Sequence, residues 1–191
     1  MTTSKELETL LGIIRSGDFL ILDTETTGRY PETSEAVSVA LIQSDGRALL
    51  NTLCKPLHPI PDEAIAIHHI TNEMVKNVLP FPAELLAELV KDRHVIIYNR
   101  SYDVGILHTS TNRANLPYVD WWKIAHWHCA MEGFAEVFGD WNSYRHNYRW
   151  QKLSTAAAYY NIVQEDAHGA LVDCQTTLAV CKAMIGVKSG S

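Results

Sequence analysis

Two acidic residues at the end of an apolar run are the first sign of chemistry in this sequence. Asp23 and Glu25 directly follow the run FLIL. In a β-strand, side chains two residues apart point to the same face, so these two carboxylates would project together. Like charges at that spacing repel each other unless a positive charge lies between them. The pair therefore predicts a bound cation at the end of a buried strand.

Two further acids have a similar setting. Asp103 comes four residues after Asn99 and just beyond the apolar run HVIIYN, and Asp173 comes five residues after His168 in a predicted C-terminal helix. Burying either acid alone would be costly. That cost is removed if Asp103 and Asp173 meet Asp23 and Glu25 around bound cations. Carboxylate oxygens are ligands that suit Mg²⁺ or Mn²⁺ rather than zinc. Two such ions about 4 Å apart can activate a water and stabilise a departing oxygen in phosphoryl transfer, and His168 could deprotonate that water.

Each of these motifs is weak when taken alone. Asp23 and Glu25 could be solvated residues at a strand end, and Asp103 could simply favour the start of a helix. His168 alone would be an ordinary residue near a helix N-terminus. The order of the motifs, and their placement at a strand end, a strand-to-helix junction and the last helix, together favour the catalytic interpretation.

The predicted elements suggest an α/β fold with a mixed sheet. An Asp45-Gly46 pair predicts a tight hairpin between the second and third strands. Short helical turns are expected within 55–75. The predicted strands are 19–23, 36–43, 47–54 and 94–99, and the predicted helices are 4–16, 82–91, 101–110, 120–138, 151–160 and 167–185.

Three motifs together resemble the DEDDh branch of the DnaQ-like 3′–5′ exonucleases, including small phage and bacterial members and polymerase III epsilon subunits. They are LDTETTG, YNRSYDVGIL and HGALVDC. The resemblance implies a ribonuclease H-like fold, with a central five-stranded mixed sheet flanked by helices. It implies that nucleoside 5′-monophosphates are released from a 3′ end. The implied catalytic set comprises two Mg²⁺ (or Mn²⁺) ions, the ligands Asp23, Glu25, Asp103 and Asp173, and the general base His168.

The resemblance also implies positions that meet the terminal nucleotide: Thr26, Thr27, Gly28, Arg29, His69 and Asn99. Two of them depart from the family pattern. Arg29 stands where the family commonly has Leu or Met wedged against the terminal bases, and arginine could instead stack on a base or contact a phosphate. His69 stands where the family often has glycine.

Length and charge limit the alternatives. The 191 residues are expected to form one domain, with a core of about 18–185, an N-terminal helix within 1–17 and a short tail at 188–191. The net charge of −6 argues against gripping nucleic acid by bulk electrostatics, although clustered metal ligands account for part of it. No apolar run approaches the length of a membrane span, and the four cysteines suggest reduced thiols in a cytoplasm.

The substrate and the partners stay open at this stage. Single-stranded DNA or a frayed 3′ end is expected, with RNA as the nearest alternative, and a polymerase or repair protein could be a partner. A second alternative is a non-catalytic interaction module. A third, a zinc-binding adaptor, rests on HWHC (126–129), but on a helix His126 and His128 would face different directions. The aromatic and basic segment 141–152 predicts either a surface for single strands or tryptophans that are core.

Overall fold

The computed structural model describes residues 4–163 and 169–186. Along these residues, eight helices and seven strands follow one another: α1 (Lys5–Ser16), β1 (Leu20–Thr26), β2 (Ala36–Gln43), β3 (Ala48–Leu53), α2 (Asp62–His68), α3 (Asn72–Val75), α4 (Ala83–Val90), β4 (His94–Ile97), α5 (Arg100–Arg113), β5 (His126–Cys129), α6 (Ala130–Phe138), β6 (Trp141–Asn142), β7 (Asn147–Tyr148), α7 (Leu153–Tyr159) and α8 (Ala170–Met184). No helix in the described ranges is long and apolar enough to cross a membrane.

The first helix shows how local sequence sets the ends of an element. The Ser4 side chain accepts a hydrogen bond from the backbone N–H of Leu7 at 3.1 Å, which caps the N-terminus of α1. Gly17 ends the helix with φ of 72°, a left-handed conformation that glycine adopts without strain. The helix expected over 4–16 is therefore confirmed.

The central sheet has five strands in the order β3-β2-β1-β4-β5. The pairs β1–β2 and β2–β3 are antiparallel, whereas β1–β4 and β4–β5 are parallel. This confirms the mixed five-stranded sheet flanked by helices. Because β1 and β4 run in the same direction, their carboxyl ends meet at one edge of the sheet, which is where open α/β sheets bind ligands.

The apolar run before the first acid pair is buried on both faces of the sheet. Phe19 and Ile21 pack in one core cluster with residues of α1, α6 and α8. Leu20 and Leu22 pack in a second cluster with residues of α4 and α5. The run is continuously apolar because β1 is the central strand and is covered by helices on both sides.

The helix expected over 120–138 is wrong in its first half. His126–Cys129 form β5, the outermost strand beside β4, and α6 begins only at Ala130. Trp127 and Cys129 point into the core. Only four residues long and running directly into a helix, the strand depends on pairing with β4, which no local pattern reveals. The fifth strand implied by the family resemblance is thus inside the segment that local pattern assigned to a helix.

This correction also changes the relation between His126 and His128. Residues two apart on a strand share a face, so the statement that these side chains point in different directions is wrong. One of the two grounds against a metal site at HWHC therefore disappears; the other, the lack of an obvious second Cys/His pair in the sequence, is unaffected.

The segment 141–152 forms a small hairpin, β6–β7, and not part of the core. Trp141 is 49% exposed, Tyr144 90% and Trp150 68%, so of the two alternatives for this segment, the one in which its tryptophans are core is wrong. The large buried tryptophans are instead Trp121 and Trp127. Within the hairpin, the Trp141 ring packs edge-on against the Tyr148 ring, with the centroids 5.1 Å apart.

Candidate active site

Three carboxylates from the two ends of the chain meet at the carboxyl end of β1. One oxygen each from Asp23, Glu25 and Asp173 lies within 4.8 Å of the other two. Asp23 and Glu25 continue the face of β1 that carries Ile21, which is the face covered by α8. Asp173 lies in the first turn of α8, where it approaches this face. The sequence prediction that these acids come together is matched by this geometry.

Asp103 lies beside this group, on the α5 side of β1. Its side chain is 4% exposed and occupies the first turn of α5, which begins just after β4 ends. The Thr24 hydroxyl donates a hydrogen bond to Asp103 Oδ1 at 2.8 Å. Thr24 alternates with the acid pair along β1, so it holds Asp103 from the opposite face of the strand.

The carboxylates hold protons more tightly than usual. Burial raises the pKa of Asp23 well above its ordinary value, and the negative charges of the other three acids raise it further. Burial, then the charges of Asp173 and Asp103, raise the pKa of Glu25 to about 8. Burial likewise raises the pKa of Asp103 to about 7, although hydrogen bonds from Thr24 lower it and the charge of Asp173 adds to the rise. Such a cluster favours any ligand that brings positive charge.

One buried atom tests whether a metal ion fits these residues. Among the described residues, Glu25 Oε1 is buried and has no hydrogen-bond partner. A buried carboxylate oxygen without a donor is costly unless a cation satisfies it. The donor set consists of oxygen atoms only, which suits Mg²⁺ or Mn²⁺. The residues present therefore fit a divalent ion of this class.

A cleft of about 530 Å³ opens next to the acids. One wall is the turn after β1, and the other is α2, which presents Ala64, Ile67 and His68. The hydroxyl of Tyr102, in the first turn of α5, lies 2.5 Å from both Thr26 Oγ1 and the carbonyl oxygen of Gly28. These contacts hold the turn against α5. The cleft thus borders the acid cluster through Glu25, which is one of its lining residues.

The turn leaves little room for a side chain at position 28. A Cβ on Gly28 would lie 2.9 Å from the hydroxyl oxygen of Ser34, which is too close for a carbon atom. The Thr27 side chain accepts a hydrogen bond from the backbone of Glu35 at 3.0 Å, and the Thr27 N–H donates to the Glu35 carbonyl at 2.9 Å. Thr27 therefore braces the turn, while Thr26, Gly28 and Arg29 line the cleft.

The two adjacent histidines after α2 have different positions. His69 is the C-cap of α2, exposed and at φ of 61°, a left-handed conformation that glycine adopts most easily. The cleft is lined by His68 instead. Its ring accepts from the Ile70 N–H at 3.0 Å through Nδ1, so Nε2 carries the proton toward the Thr26 carbonyl at 3.2 Å.

Sequence reasoning missed His68 and Tyr102. The helical spacing of Ala64 and His68, both buried on one face of α2, could have indicated which of the two histidines points inward. Asn99 is the N-cap of α5 and lines the cleft, but its side chain makes no capping hydrogen bond. His168 lies outside the described residues.

A buried ion-pair network holds the turn from behind. Glu35, 3% exposed, accepts hydrogen bonds from the backbone N–H of Leu57 at 2.8 Å and from Arg113 Nη1 at 3.2 Å, and His58 Nδ1 lies 2.9 Å away. Burial acts to raise the pKa of Glu35, but these hydrogen bonds outweigh it and the pKa is lowered. The network joins β2, the loop after β3 and α5 around the residue that braces Thr27.

Comparison with known proteins agrees with this geometry. The family model RNase T, described as an exonuclease, matches residues 20–181 of the chain. The chain belongs to this exonuclease family. The uncharacterized exonuclease CP81 of Escherichia phage 186 is 37% identical over 173 residues, which are 87% of this chain and 88% of that protein. The relationship to DnaQ-like exonucleases is thereby confirmed, and the protein is an exonuclease.

More distant relatives share the domain. The DNA polymerase III subunit epsilon of Treponema pallidum is 24% identical over 173 residues, or 87% of this chain and 76% of that subunit. The crystal structure of E. coli exonuclease I in complex with a dT13 oligonucleotide superposes with a TM-score of 0.71 at 18% identity, covering 90% of this chain and 41% of that one. That similarity shows the shared fold. Exonucleases of this family depend on divalent metal ions, and the acidic cluster for them is present.

Proposed function

We propose that this exonuclease removes nucleotides one at a time from the 3′ end of single-stranded DNA and releases nucleoside 5′-monophosphates. The observation that carries the proposal is the acid cluster: Asp23, Glu25 and Asp173 come together from β1 and α8, Asp103 lies beside them on α5, and Glu25 Oε1 is a buried oxygen without a partner among the described residues. Distant parts of the chain have no structural reason to gather repelling charges at one sheet edge. Binding of divalent ions supplies that reason.

The proposed cofactors are two Mg²⁺ or Mn²⁺ ions, which Asp23, Glu25, Asp103 and Asp173 would hold. When bound, they supply the positive charge that activates water and stabilises the departing oxygen. Within this proposal, Thr24 keeps Asp103 in place through its 2.8 Å hydrogen bond. His168 is the proposed general base, a role that comes from the spacing of the motif HGALVDC and its resemblance to the family.

The cleft is the proposed site for the terminal nucleotide. Thr26, Gly28 and Arg29 would meet its sugar and phosphate, and Asn99 would face it from the start of α5. Ile67 is 45% exposed and lines the opposite wall, so it offers an apolar surface for the terminal base. We assign to Ile67 the contact that related proteins make with the apolar residue that Arg29 replaces.

The hairpin around β6–β7 is the proposed site for the strand upstream of the terminal nucleotide. The Tyr98 hydroxyl, at the end of β4, donates to the Gln151 carbonyl at 2.9 Å, which anchors the segment next to Asn99 and the sheet edge. Between residues 141 and 152 the segment carries Arg145, Arg149 and Lys152 and no acidic residue. Exposed aromatic rings with interleaved cations suit the bases and phosphates of a single strand.

The same proposal includes the setting of the enzyme. The named role of the Treponema relative favours a polymerase or repair protein as a partner, which co-purification with replication proteins would test. All four cysteines are free and buried, which supports a reducing compartment such as the cytoplasm. Neither point affects the chemistry of the acid cluster.

A time course on labelled oligonucleotides tests the reaction. Matched DNA and RNA single strands labelled at the 5′ or the 3′ end are incubated with Mg²⁺, Mn²⁺ or a chelator, with Asp103→Asn as the inactive control. The proposal predicts a ladder from the 5′ label, immediate release of the 3′ label as a mononucleotide, no reaction with chelator and faster hydrolysis of DNA. A ladder from the 3′ label would refute the polarity, and faster hydrolysis of RNA would replace DNA by RNA as the substrate.

A further inference from the structure

Three histidines lie together on the outer two strands of the sheet, away from the acid cluster. His94 begins β4 and is the direct register partner of His126 on β5. His128 follows two residues later on β5, so its side chain shares the face of His126. Two histidines at positions i and i+2 of one strand and a third on the neighbouring strand can converge on one point above the sheet.

One pair of the three rings is already close to the spacing of metal ligands. His94 Nδ1 and His128 Nε2 are 3.0 Å apart, in a hydrogen bond that a shared ion would replace. The centroid of the His94 ring lies 5.0 Å from the centroid of the His126 ring and 5.2 Å from that of the His128 ring. Tetrahedral zinc with Zn–N bonds of about 2.0–2.1 Å places two ligand nitrogens about 3.3 Å apart and their ring centroids about 5.2 Å apart.

We propose that His94, His126 and His128 bind one Zn²⁺ ion at a site separate from the catalytic ions. His94 and His128 already have the required spacing. The three nitrogens are not yet within 4.8 Å of one another, so the exposed ring of His126 has to turn to complete the site. A water molecule would be the fourth ligand, as in three-histidine zinc sites.

The surroundings of the three rings are compatible with a bound cation. A cavity of about 440 Å³ between α1 and α6 is lined by His128, Cys129, Arg100 and Glu132, so His128 borders open space on that side. The Arg100 guanidinium lies 3.8 Å from the Glu132 carboxylate, so its positive charge is balanced. Burial, then the neighbouring histidines and Arg100, lower the pKa of His128 to about 4.

The nearby cysteine does not belong to the site. Cys129 is buried and its thiol donates to the Tyr98 carbonyl at 3.4 Å, so this hydrogen bond already engages the thiol. The donor set is thus three imidazoles, which favour zinc over the hard ions of the acid cluster. Because β5 is the edge of the sheet, a zinc ion held by both strands would fix β5 to β4.

Calorimetric titration with Zn²⁺ in excess Mg²⁺ tests the proposal. The titration uses the Asp103→Asn protein, which lacks one catalytic ligand, and the same protein with His126→Gln, His128→Gln or the control His108→Gln. The proposal predicts one Zn²⁺ per chain in the parent and in the His108 control, and binding at least tenfold weaker in both of the other variants. Equal binding in all four proteins, or no binding in the parent, would overturn it.

Two further measurements separate this site from the catalytic one. Co²⁺ at three imidazoles and a water gives the strong visible absorption of a tetrahedral complex, whereas an all-oxygen site gives a weak octahedral spectrum. We expect the tetrahedral spectrum in the parent and its loss in His126→Gln. Zn²⁺ should also raise the melting temperature of the parent and not that of His126→Gln. Circular dichroism shows whether each variant is folded, and because His126 is exposed its replacement should leave the fold intact.

Discussion

Replacing Asp103 with asparagine should make the metal-free protein more stable at pH 8 while abolishing hydrolysis. The substitution keeps the shape of the side chain, and the amide oxygen can still accept the hydrogen bond from Thr24. It removes one negative charge from a buried group that contains Asp23, Glu25 and Asp173. A catalytic ligand is thus a source of instability when the metal is absent.

The raised pKa of Asp103 sets the size and the sign of the effect. The pKa is about 7 in the folded protein against an ordinary value of 3.8, and a gap of about 3 pH units corresponds to ~4 kcal/mol at most. Since neighbouring acids share this energy, we expect about 2–4 kcal/mol, or roughly 5–15 °C in melting temperature. The folded carboxyl binds its proton more tightly than the unfolded one. As far as this group is concerned, the stability of the metal-free wild type is therefore highest below the ordinary pKa of 3.8, falls as the pH rises toward the folded pKa of about 7, and levels off near pH 8.

Thermal unfolding at pH 5, 6, 7 and 8, in chelator and in saturating Mg²⁺, measures this directly. In chelator, the advantage of Asp103→Asn should grow with pH; in Mg²⁺ the wild type should recover, because ions that bind only the folded state stabilise it. Glu88→Gln, on the exposed side of α4, is the control for a general charge effect. A wild type whose melting temperature does not fall between pH 5 and 8 in chelator, or a variant no more stable at pH 8, would refute the electrostatic argument.

Three other consequences can be measured. The double variant Tyr144→Ala, Trp150→Ala should raise the KM for a long single strand about tenfold or more. Its hydrolysis of a short substrate, the p-nitrophenyl ester of thymidine 5′-monophosphate, should be unchanged. The exposed Tyr118→Ala is the control, and an equal loss of activity on both substrates would contradict a role for the hairpin. Glu35→Gln should destabilise the fold by ~1–3 kcal/mol at pH 7. Because the pKa of Glu35 is lowered, this deficit should shrink as the pH falls below about 4 in urea titrations, and a constant deficit would contradict the ion-pair explanation. His168→Ala should lower the rate by roughly two to four orders of magnitude, and an unchanged rate would remove it from the mechanism.

The fold could be predicted where local pattern and tertiary pairing agree. The strand expected over 36–43 coincides with β2, and the hairpin at Asp45-Gly46 joins β2 to β3. β5 could not be predicted, because its alternation of exposed and buried side chains covers only four residues. The helical pattern of the nine residues of α6, which follow directly, is longer and therefore dominates any prediction from local sequence. Its pairing with β4 is a contact across more than thirty residues of sequence, which periodicity does not contain.

The acidic residues of the site could be predicted from the sequence, whereas the residues that line its cleft could be predicted only in part. The spacing of Asp23 and Glu25 on a strand, and their shared need for a cation, follow from strand geometry and charge alone. The packing of α2 against the turn, by contrast, depends on which face of a seven-residue helix is buried. For that reason the cleft contains His68, and the neighbouring His69 serves as the cap of the helix.

The apolar run and the acid pair that follows it are energetically linked. Leu20, Ile21 and Leu22 are completely buried, and each contributes about 1.5–3 kcal/mol relative to an exposed side chain. That is the same order as the free energy needed to ionise a carboxylate whose pKa is raised to 7 or 8. A strand at the edge of the sheet, buried on one face, would have about half of this stabilisation to offset the charges. The central position of β1 therefore explains how the fold can keep such a cluster at the carboxyl end of this strand before any metal binds.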